Sequence, residues 1–307
     1  MPRSKFNPDT DIPDLSGKSI FITGGTSGLG ETSAIQLAKH NPAHIYISGR
    51  NATTAETIIN KIHDSNPTTQ VTFVQCDLSS LSSVKEAAEK FVAQTPSLDI
   101  LMCNAGIMAR PPGLTADGYE IQFGTNHLGH ALLIKKLLPL LERTAARSDG
   151  DARIVILASE GHNFHPKTGI NFDDLRTVQD MGVGGSWIRY AQSKLANILY
   201  ANELARRYPL ITSVSLHPGV VSTGLLDNSG PMNTAFVYMT TWWQMKKPEE
   251  GTHNQLWAST VDKEKIQSGQ YYVPVGTVPK CNVSKLTKDD ALALKLWDWT
   301  EKALEGY

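Results

Sequence analysis

The sequence predicts an α/β fold in which a doubly wound, mostly parallel sheet carries helices on both faces. Three observations carry this reading. Short β-branched runs alternate with helix-like stretches from residue 18 to about 275, a glycine-rich turn follows the first run, and 307 residues that are 40% hydrophobic and 19% charged supply a sizeable core. Such alternation implies right-handed crossovers, because parallel neighbours need a long connection between them. Residues 18–22 (KSIFI) form the first strand and 31–40 the first helix. Further strands fall at 45–48, 71–75, 100–103, 154–158 and 212–217, each reached after a helical stretch. Beyond Thr223 come longer aromatic-rich segments, a strand-like 270–274 and an amphipathic helix near 289–304. No repeat, low-complexity tract or Pro/Ser-rich linker interrupts this order, so an extension over 1–15 followed by one domain over 16–307 is the economical organisation.

Charge and composition exclude several classes. With 29 Lys+Arg against 30 Asp+Glu the net charge is -1, which offers no basic field to nucleic acid. The N-terminal segment is polar and carries acids, so neither a signal peptide nor a transit peptide is expected. The longest uncharged stretches, 208–226 and 228–245, are broken by Pro and Gly, and no membrane span is expected from them. A soluble, cytoplasmic protein follows as the expectation. Cys76, Cys103 and Cys281 are widely spaced without a CxxC, and they read as buried small hydrophobes rather than a disulfide framework or zinc site. The HxxH pairs His127/His130 and His162/His165 have no Cys or Glu to complete a ligand set, so no metal is expected.

Between the first strand and the first helix lies TGGTSGLG, residues 23–30. Gly24, Gly28 and Gly30, with Thr26, Ser27 and Leu29 between them, let the backbone approach a pyrophosphate, and the following helix offers free amides and a positive dipole end. Its strand–turn–helix setting makes the cluster informative. The second strand ends in Ser48-Gly49-Arg50. A carboxylate there would bond ribose hydroxyls; the guanidinium of Arg50 instead suits a 2'-phosphate, which points to NADP(H). In Tyr190-Ala-Gln-Ser-Lys194, a spacing of four places phenol and ammonium on one face of the helix that Tyr190 opens. A phenol titrates near 10, and a neighbouring cation favours its ionised form.

TGGTSGLG, Cys76-Asp77-Leu78, Asn104-Ala105-Gly106, Asn126 in FGTNHLGH, Ser159, Tyr190/Lys194 and Pro218-Gly219 with Thr223 occur in an order that resembles the short-chain dehydrogenase/reductase family over roughly residues 16–275. The wording GYEIQFGTNHLGH and YAQSKLANILYANELARRY is similar to its retinol-dehydrogenase and WW-domain-oxidoreductase branch, though the short 1–15 extension lacks paired tryptophans and no WW domain is expected in it. The resemblance implies a Rossmann-type oxidoreductase, usually a homo-oligomer. Tyr190 would exchange a proton with the substrate oxygen, and Lys194 would lower its pKa and hold the nicotinamide ribose. Ser159 would hydrogen-bond the substrate oxygen, and Asn126 would anchor a water leading from Lys194. Asp77 would touch adenine with Leu78 beside it, or would cap a helix instead. Asn104, Ala105 and Gly106 would line the cofactor cleft; Pro218, Gly219, Val221 and Thr223 would sit at the nicotinamide end.

Two departures stand out. Ser159 and Tyr190 are separated by a long connection that either borders the substrate mouth or is a surface excursion, and it leaves Ser186 and Ser193 as rival serines. Residues 224–260 would form a substrate lid, and the aromatic stretch 232–245, with Trp242 and Trp243, suggests an apolar or bulky substrate; a packed helix or a membrane-surface patch are the alternatives. The function this supports is carbonyl–alcohol interconversion with NADP(H). Two rivals are an NADPH-binding scaffold without turnover, and reduction of an imine or double bond.

Overall fold

The computed structural model describes residues 6–221 and 247–307. The predictions for Thr223, for 224–246 and for Trp242 and Trp243 lie outside the described residues. The strands are β1 (Ser19–Thr23), β2 (His44–Gly49), β3 (Gln70–Gln75), β4 (Ile100–Cys103), β5 (Arg153–Leu157), β6 (Thr212–Leu216) and β7 (Tyr271–Tyr272). They form one parallel sheet in the order β3-β2-β1-β4-β5-β6-β7, with Ile20 of β1 opposite Ile45 of β2 and Ile100 of β4. The inner strands are buried on both sides, as a sheet covered twice requires. Ile20, Ile22, Ile45 and Ile47 enter the core of one face, whereas Phe21, Tyr46 and Leu101 enter the other.

The principal helices are α1 (Gly28–Ala38), α2 (Ala52–Ser65), α3 (Leu81–Gln94), α4 (Gly129–Ala145), α5 (Gly185–Arg207), α6 (His253–Thr260) and α7 (Asp290–Ala303). Residues of α1, α2 and α6 fill the first core, and residues of α3, α4, α5 and α7 fill the second. Several starts are encoded locally. Asn51 caps α2 by accepting from Thr54 N at 3.2 Å, Ser80 caps α3, and Asp289 caps α7 by accepting from Leu292 N at 2.9 Å.

The structure departs from the sequence reading in four places. The strand expected over 270–274 contracts to Tyr271–Tyr272: Pro274 has no N–H to donate, and Val273 pairs instead with Thr277 in an antiparallel bridge. The helix expected to open at Tyr190 begins at Gly185, after Gly184 at φ 82, so Tyr190 lies in its second turn. Within the 1–15 extension, Ile12 and Leu15 are buried in the first core. Of the expected lid, the part in α6 is built into that same core, with Leu256 and Ala258 fully buried.

Buried histidines couple this fold to pH. Burial first, and the neighbouring His130 second, push His127 down to about 3; burial pushes His130 down to about 4. Both are neutral when folded and near 6.5 when unfolded, so their contribution is complete above pH 6.5 and is lost as pH falls toward those folded values. Each group costs about 1.4 kcal/mol per pH unit below its unfolded value, so together they remove about 4 kcal/mol between pH 6.5 and pH 5. Urea unfolding at pH 7 and pH 5 checks this. A His127→Gln variant should show a shallower loss by about 2 kcal/mol over that interval, and an unchanged slope would contradict the assignment.

Candidate active site

Strand order reverses between β1 and β4, and such a switch point opens a crevice at the carboxyl ends of the strands. The turn after β1 fills one side of it. Gly24 has φ 64, and a Cβ there would lie 3.0 Å from Ala105 Cβ, so only glycine fits. Ser27 caps α1 without a side-chain hydrogen bond, and the first-turn amides of a helix have no intrahelical acceptors. The turn therefore presents N–H groups to an anion, which is what a dinucleotide pyrophosphate requires. Asn104 Nδ2 donates to the Thr23 carbonyl at 2.9 Å and Ala105 N donates to Thr23 Oγ1 at 3.0 Å, which tie the end of β4 to that of β1. Asn104 is thus a strut of the cleft wall.

Arg50 is exposed just past β2 and makes no ion pair among the described residues. A Cβ on Gly49 would lie 2.7 Å from Thr26 Oγ1, so the absence of a side chain there brings the end of β2 against the glycine turn. Asp77 Oδ1 accepts from Ser79 N at 2.9 Å and Ser79 Oγ at 2.7 Å. The helix-cap role falls to Ser80, while Asp77 closes the turn before it and Leu78 is buried. After β6, Pro218 and Gly219 are half-buried, Gly219 at φ 101, and Val221 is buried on the side of Gly251 and Leu29.

α5 carries the two residues expected to exchange the proton. Tyr190 and Lys194 are 5% and 4% exposed, and Lys194 Nζ lies 5.8 Å from the Tyr190 ring centroid. Lys194 Nζ donates to the Leu157 carbonyl at 2.8 Å, which anchors the ammonium to the end of β5. Burial pushes Tyr190 up to about 12, with a hydrogen bond from Ser159 pulling it the other way, and burial pushes Lys194 down to about 8. The expected lowering of the phenol by its cation is not found: burial raises it, and the opposing group is Ser159, not Lys194. Of the rival serines, Ser193 Oγ donates to the Tyr190 carbonyl at 2.7 Å and Ser186 offers its carbonyl to Gln122 Nε2 at 2.9 Å. Ser159 is the serine whose hydroxyl stands beside the Tyr190 ring: a Cβ on Gly161 would lie 3.3 Å from Ser159 Oγ and 3.3 Å from Tyr190 Cε1.

Asn126 sits in a π-helical turn, Gly124–Leu128, just before α4. Its Oδ1 accepts from Ile107 N at 2.8 Å, and its Nδ2 donates to Ile107 O and Ser193 Oγ, both at 2.9 Å. The side chain is therefore occupied in holding the chain after β4, and it lies across Gly106 from Lys194: a Cβ on Gly106 would be 3.1 Å from Asn126 Oδ1 and 3.5 Å from Lys194 Nζ. A chain of bonds runs on from its carbonyl. His130 Nδ1 donates to Asn126 O at 3.0 Å, and Thr23 Oγ1 donates to His130 Nε2 at 2.9 Å, an order consistent with a neutral ring.

The histidines of both HxxH pairs have local partners, His165 Nε2 meeting Ser284 Oγ at 2.7 Å. His127 Nε2 meets Thr300 Oγ1 at 3.0 Å, and no cluster of metal-ligating side chains occurs among the described residues. Cys76 and Cys103 are buried as expected, but Cys281 is exposed, because it lies in the loop after β7 and not on a strand. Two further residues, absent from the predicted site, shape it: Gly25, whose Cβ would lie 2.7 Å from Ile47 Cβ, and Arg189, whose side chain is 1% exposed. The doubled glycine was a visible signal for the first. For Arg189 nothing local distinguishes a buried arginine from a solvated one.

A glycine turn at a strand switch point, with a buried phenol and ammonium on α5, is the arrangement expected of a Rossmann-type α/β protein. The short chain dehydrogenase family profile matches residues 18–170. The chain is 37% identical over 306 residues to the short-chain dehydrogenase/reductase drtF of Aspergillus calidoustus, covering 95% of each. It is 35% identical over 300 residues to the short-chain dehydrogenase TIC 32 A, chloroplastic, of Brassica napus, covering 95% of this chain and 90% of that one. Among solved structures, an uncharacterised protein of Mycobacterium paratuberculosis aligns with a TM-score of 0.74 and 28% identity over 98% of this chain and 97% of that one. The chain belongs to the short-chain dehydrogenase/reductase family, oxidoreductases that use nicotinamide cofactors and act on small molecules. No helix among the described residues is long and apolar enough to cross a membrane.

Proposed function

We propose that the chain is a cytoplasmic NADP(H)-dependent oxidoreductase that interconverts a carbonyl and an alcohol on an apolar or bulky small molecule, acting chiefly as a ketone or aldehyde reductase. The observation that carries this is the buried Tyr190–Lys194 pair on α5, with Ser159 Oγ beside the Tyr190 ring across Gly161. The wording around Asn126 and Tyr190 supports a place near the retinol-dehydrogenase branch, and the aromatic sequence 232–245 supports the bulky substrate.

The cradle residues fit a dinucleotide: Gly24 and the uncapped start of α1 would hold its pyrophosphate, and Arg50 its 2'-phosphate. Leu78, Asn104, Ala105 and Gly106 would flank the cofactor, Asp77 would reach its adenine, and Pro218 to Val221 would border its reactive end. When bound, the nicotinamide supplies the hydride. Tyr190 supplies the proton: with a pKa pushed up to about 12 it keeps its hydrogen at neutral pH, the state a donor needs. Lys194, down at about 8, is mostly charged at neutral pH and would stabilise the phenolate left behind. Ser159 steadies the substrate oxygen against Tyr190, and Asn126 fixes the loop and Ser193 behind them.

Consumption of NADPH with a panel of aldehydes and ketones tests the reading, and Arg50→Ala tests its cofactor half. The variant should raise the KM for NADPH by about 10-fold or more, the worth of a charge-assisted contact, with under about twofold change for NADH. Equal losses with both cofactors would remove the 2'-phosphate role. Tight NADPH binding with no consumption across the panel would favour the scaffold instead.

A further inference from the structure

Ser159 leaves β5 and enters a tight 3-10 turn, Glu160–Phe164, as its N-cap. Its Oγ accepts a hydrogen bond from Gly161 N at 3.1 Å. Its carbonyl accepts two more, from His162 N at 3.1 Å and from the His162 ring Nδ1 at 2.6 Å. A carbonyl can only accept, so Nδ1 carries the hydrogen and Nε2 is bare in the neutral ring. The ring is fully buried, and Nε2 has no partner among the described residues. It stands edge-on to Tyr271 of β7, with ring centroids 5.3 Å apart. At Gly161, a Cβ would lie 3.3 Å from Ser159 Oγ and 3.3 Å from Tyr190 Cε1.

These contacts have directional consequences. A serine hydroxyl has one proton and two lone pairs. With the Gly161 N–H on one lone pair, the rotation of the hydroxyl is restricted and its proton is left free for a partner on the Tyr190 side. The two donors on the Ser159 carbonyl fix the orientation of the peptide from which that hydroxyl projects. The packing of His162 against Tyr271 ties the turn to the sheet edge.

We propose that Gly161 and His162 are positioning residues for the reaction: His162 locks the Ser159–His162 turn, which aims the Ser159 hydroxyl, and Gly161 leaves the space in which Ser159 and Tyr190 meet. This rests on the reading of Ser159 and Tyr190 as the reacting pair. Neither positioning residue need touch the substrate.

Two measurements on the full chain test it. Nitrogen-15 spectra of histidine-labelled protein at neutral pH should show His162 as the Nδ1–H tautomer with a bare Nε2, the signal being assigned by its loss in His162→Asn. A His162 signal with the hydrogen on Nε2 would overturn the lock regardless of any activity. In steady-state assays with NADPH and the carbonyl that the parent reduces fastest, His162→Ala and Gly161→Ala should each lower kcat by about 10–100-fold, the scale of a small misplacement, and leave the KM for NADPH within about twofold. His162→Asn, whose Nδ2 stands near the place of Nδ1, should recover most of that loss. Parental kcat in His162→Ala, or an Asn variant no better than Ala, would overturn the positioning role. A parent that reduces nothing would overturn the oxidoreductase reading, and the proposed role with it, whichever tautomer His162 shows.

Discussion

Replacement of Arg189 by methionine is expected to lower the free energy of unfolding by about 3–5 kcal/mol, the cost of breaking a buried ion pair from one side. Arg189 directly precedes Tyr190 on α5, and its side chain is 1% exposed against a fully buried Glu120. Nε and Oε1 are 3.2 Å apart in an ionic contact that is not aligned as a hydrogen bond. The other guanidinium nitrogens are well directed: Nη1 donates to Gln179 O at 2.9 Å and Nη2 to Arg110 O at 2.8 Å. One side chain therefore clamps the segment after β4, the connection leading to α5 and the acid before the π turn. Glu120 itself is held up from the usual carboxylate range by burial and drawn down by Phe123 N, which donates to it at 2.7 Å, and by Arg189. Without the guanidinium, Glu120 would be a lone buried acid. Urea unfolding of Arg189→Met measures the loss, and the double variant with Glu120→Gln should recover part of it by removing the stranded charge. A loss below about 1 kcal/mol would show that the clamp is not structural.

Much of this arrangement could be read from residue order. The run KSIFI ends in three consecutive apolar residues because the sheet is covered on both faces: Ile20 and Ile22 fill one side and Phe21 the other. The TGGTSGLG turn was legible because its glycines answer a local geometric need. The spacing of Tyr190 and Lys194 was legible because one helical turn brings them together. Other features depend on contacts between distant segments. Arg189 meets Glu120, Gln179 and Arg110 only after two long connections have folded, and no periodicity marks that meeting. Residue order does not separate Ser159 from Ser186 and Ser193, because each serine hydroxyl could equally satisfy backbone groups; those of Ser159 and Ser193 do. Asn126 matched a pattern, but the pattern could not say that its amide is spent on Ile107 and Ser193. The direction of the Tyr190 shift was beyond sequence for the same reason, since desolvation is set by all the surrounding packing.

Tyr190→Phe carries the largest expected effect on activity. The substitution removes a hydroxyl and keeps the ring, so packing against Trp187, edge-on at 6.3 Å between centroids, is preserved. Removal of a positioned proton donor costs about 10²–10⁴-fold in turnover, and here no second group stands ready: Ser159 is a far weaker acid, and Lys194 is engaged with the Leu157 carbonyl. Binding of NADPH should change little, because the cradle around Gly24 and Arg50 does not involve the phenol. The central claim is therefore tested most directly by the rate of carbonyl-dependent NADPH consumption, measured at saturating NADPH for the parent and for Tyr190→Phe. A fall in kcat of about 10³-fold with unaltered NADPH affinity is the predicted result. Parental turnover in the phenylalanine variant would contradict the assignment of Tyr190 as the proton donor.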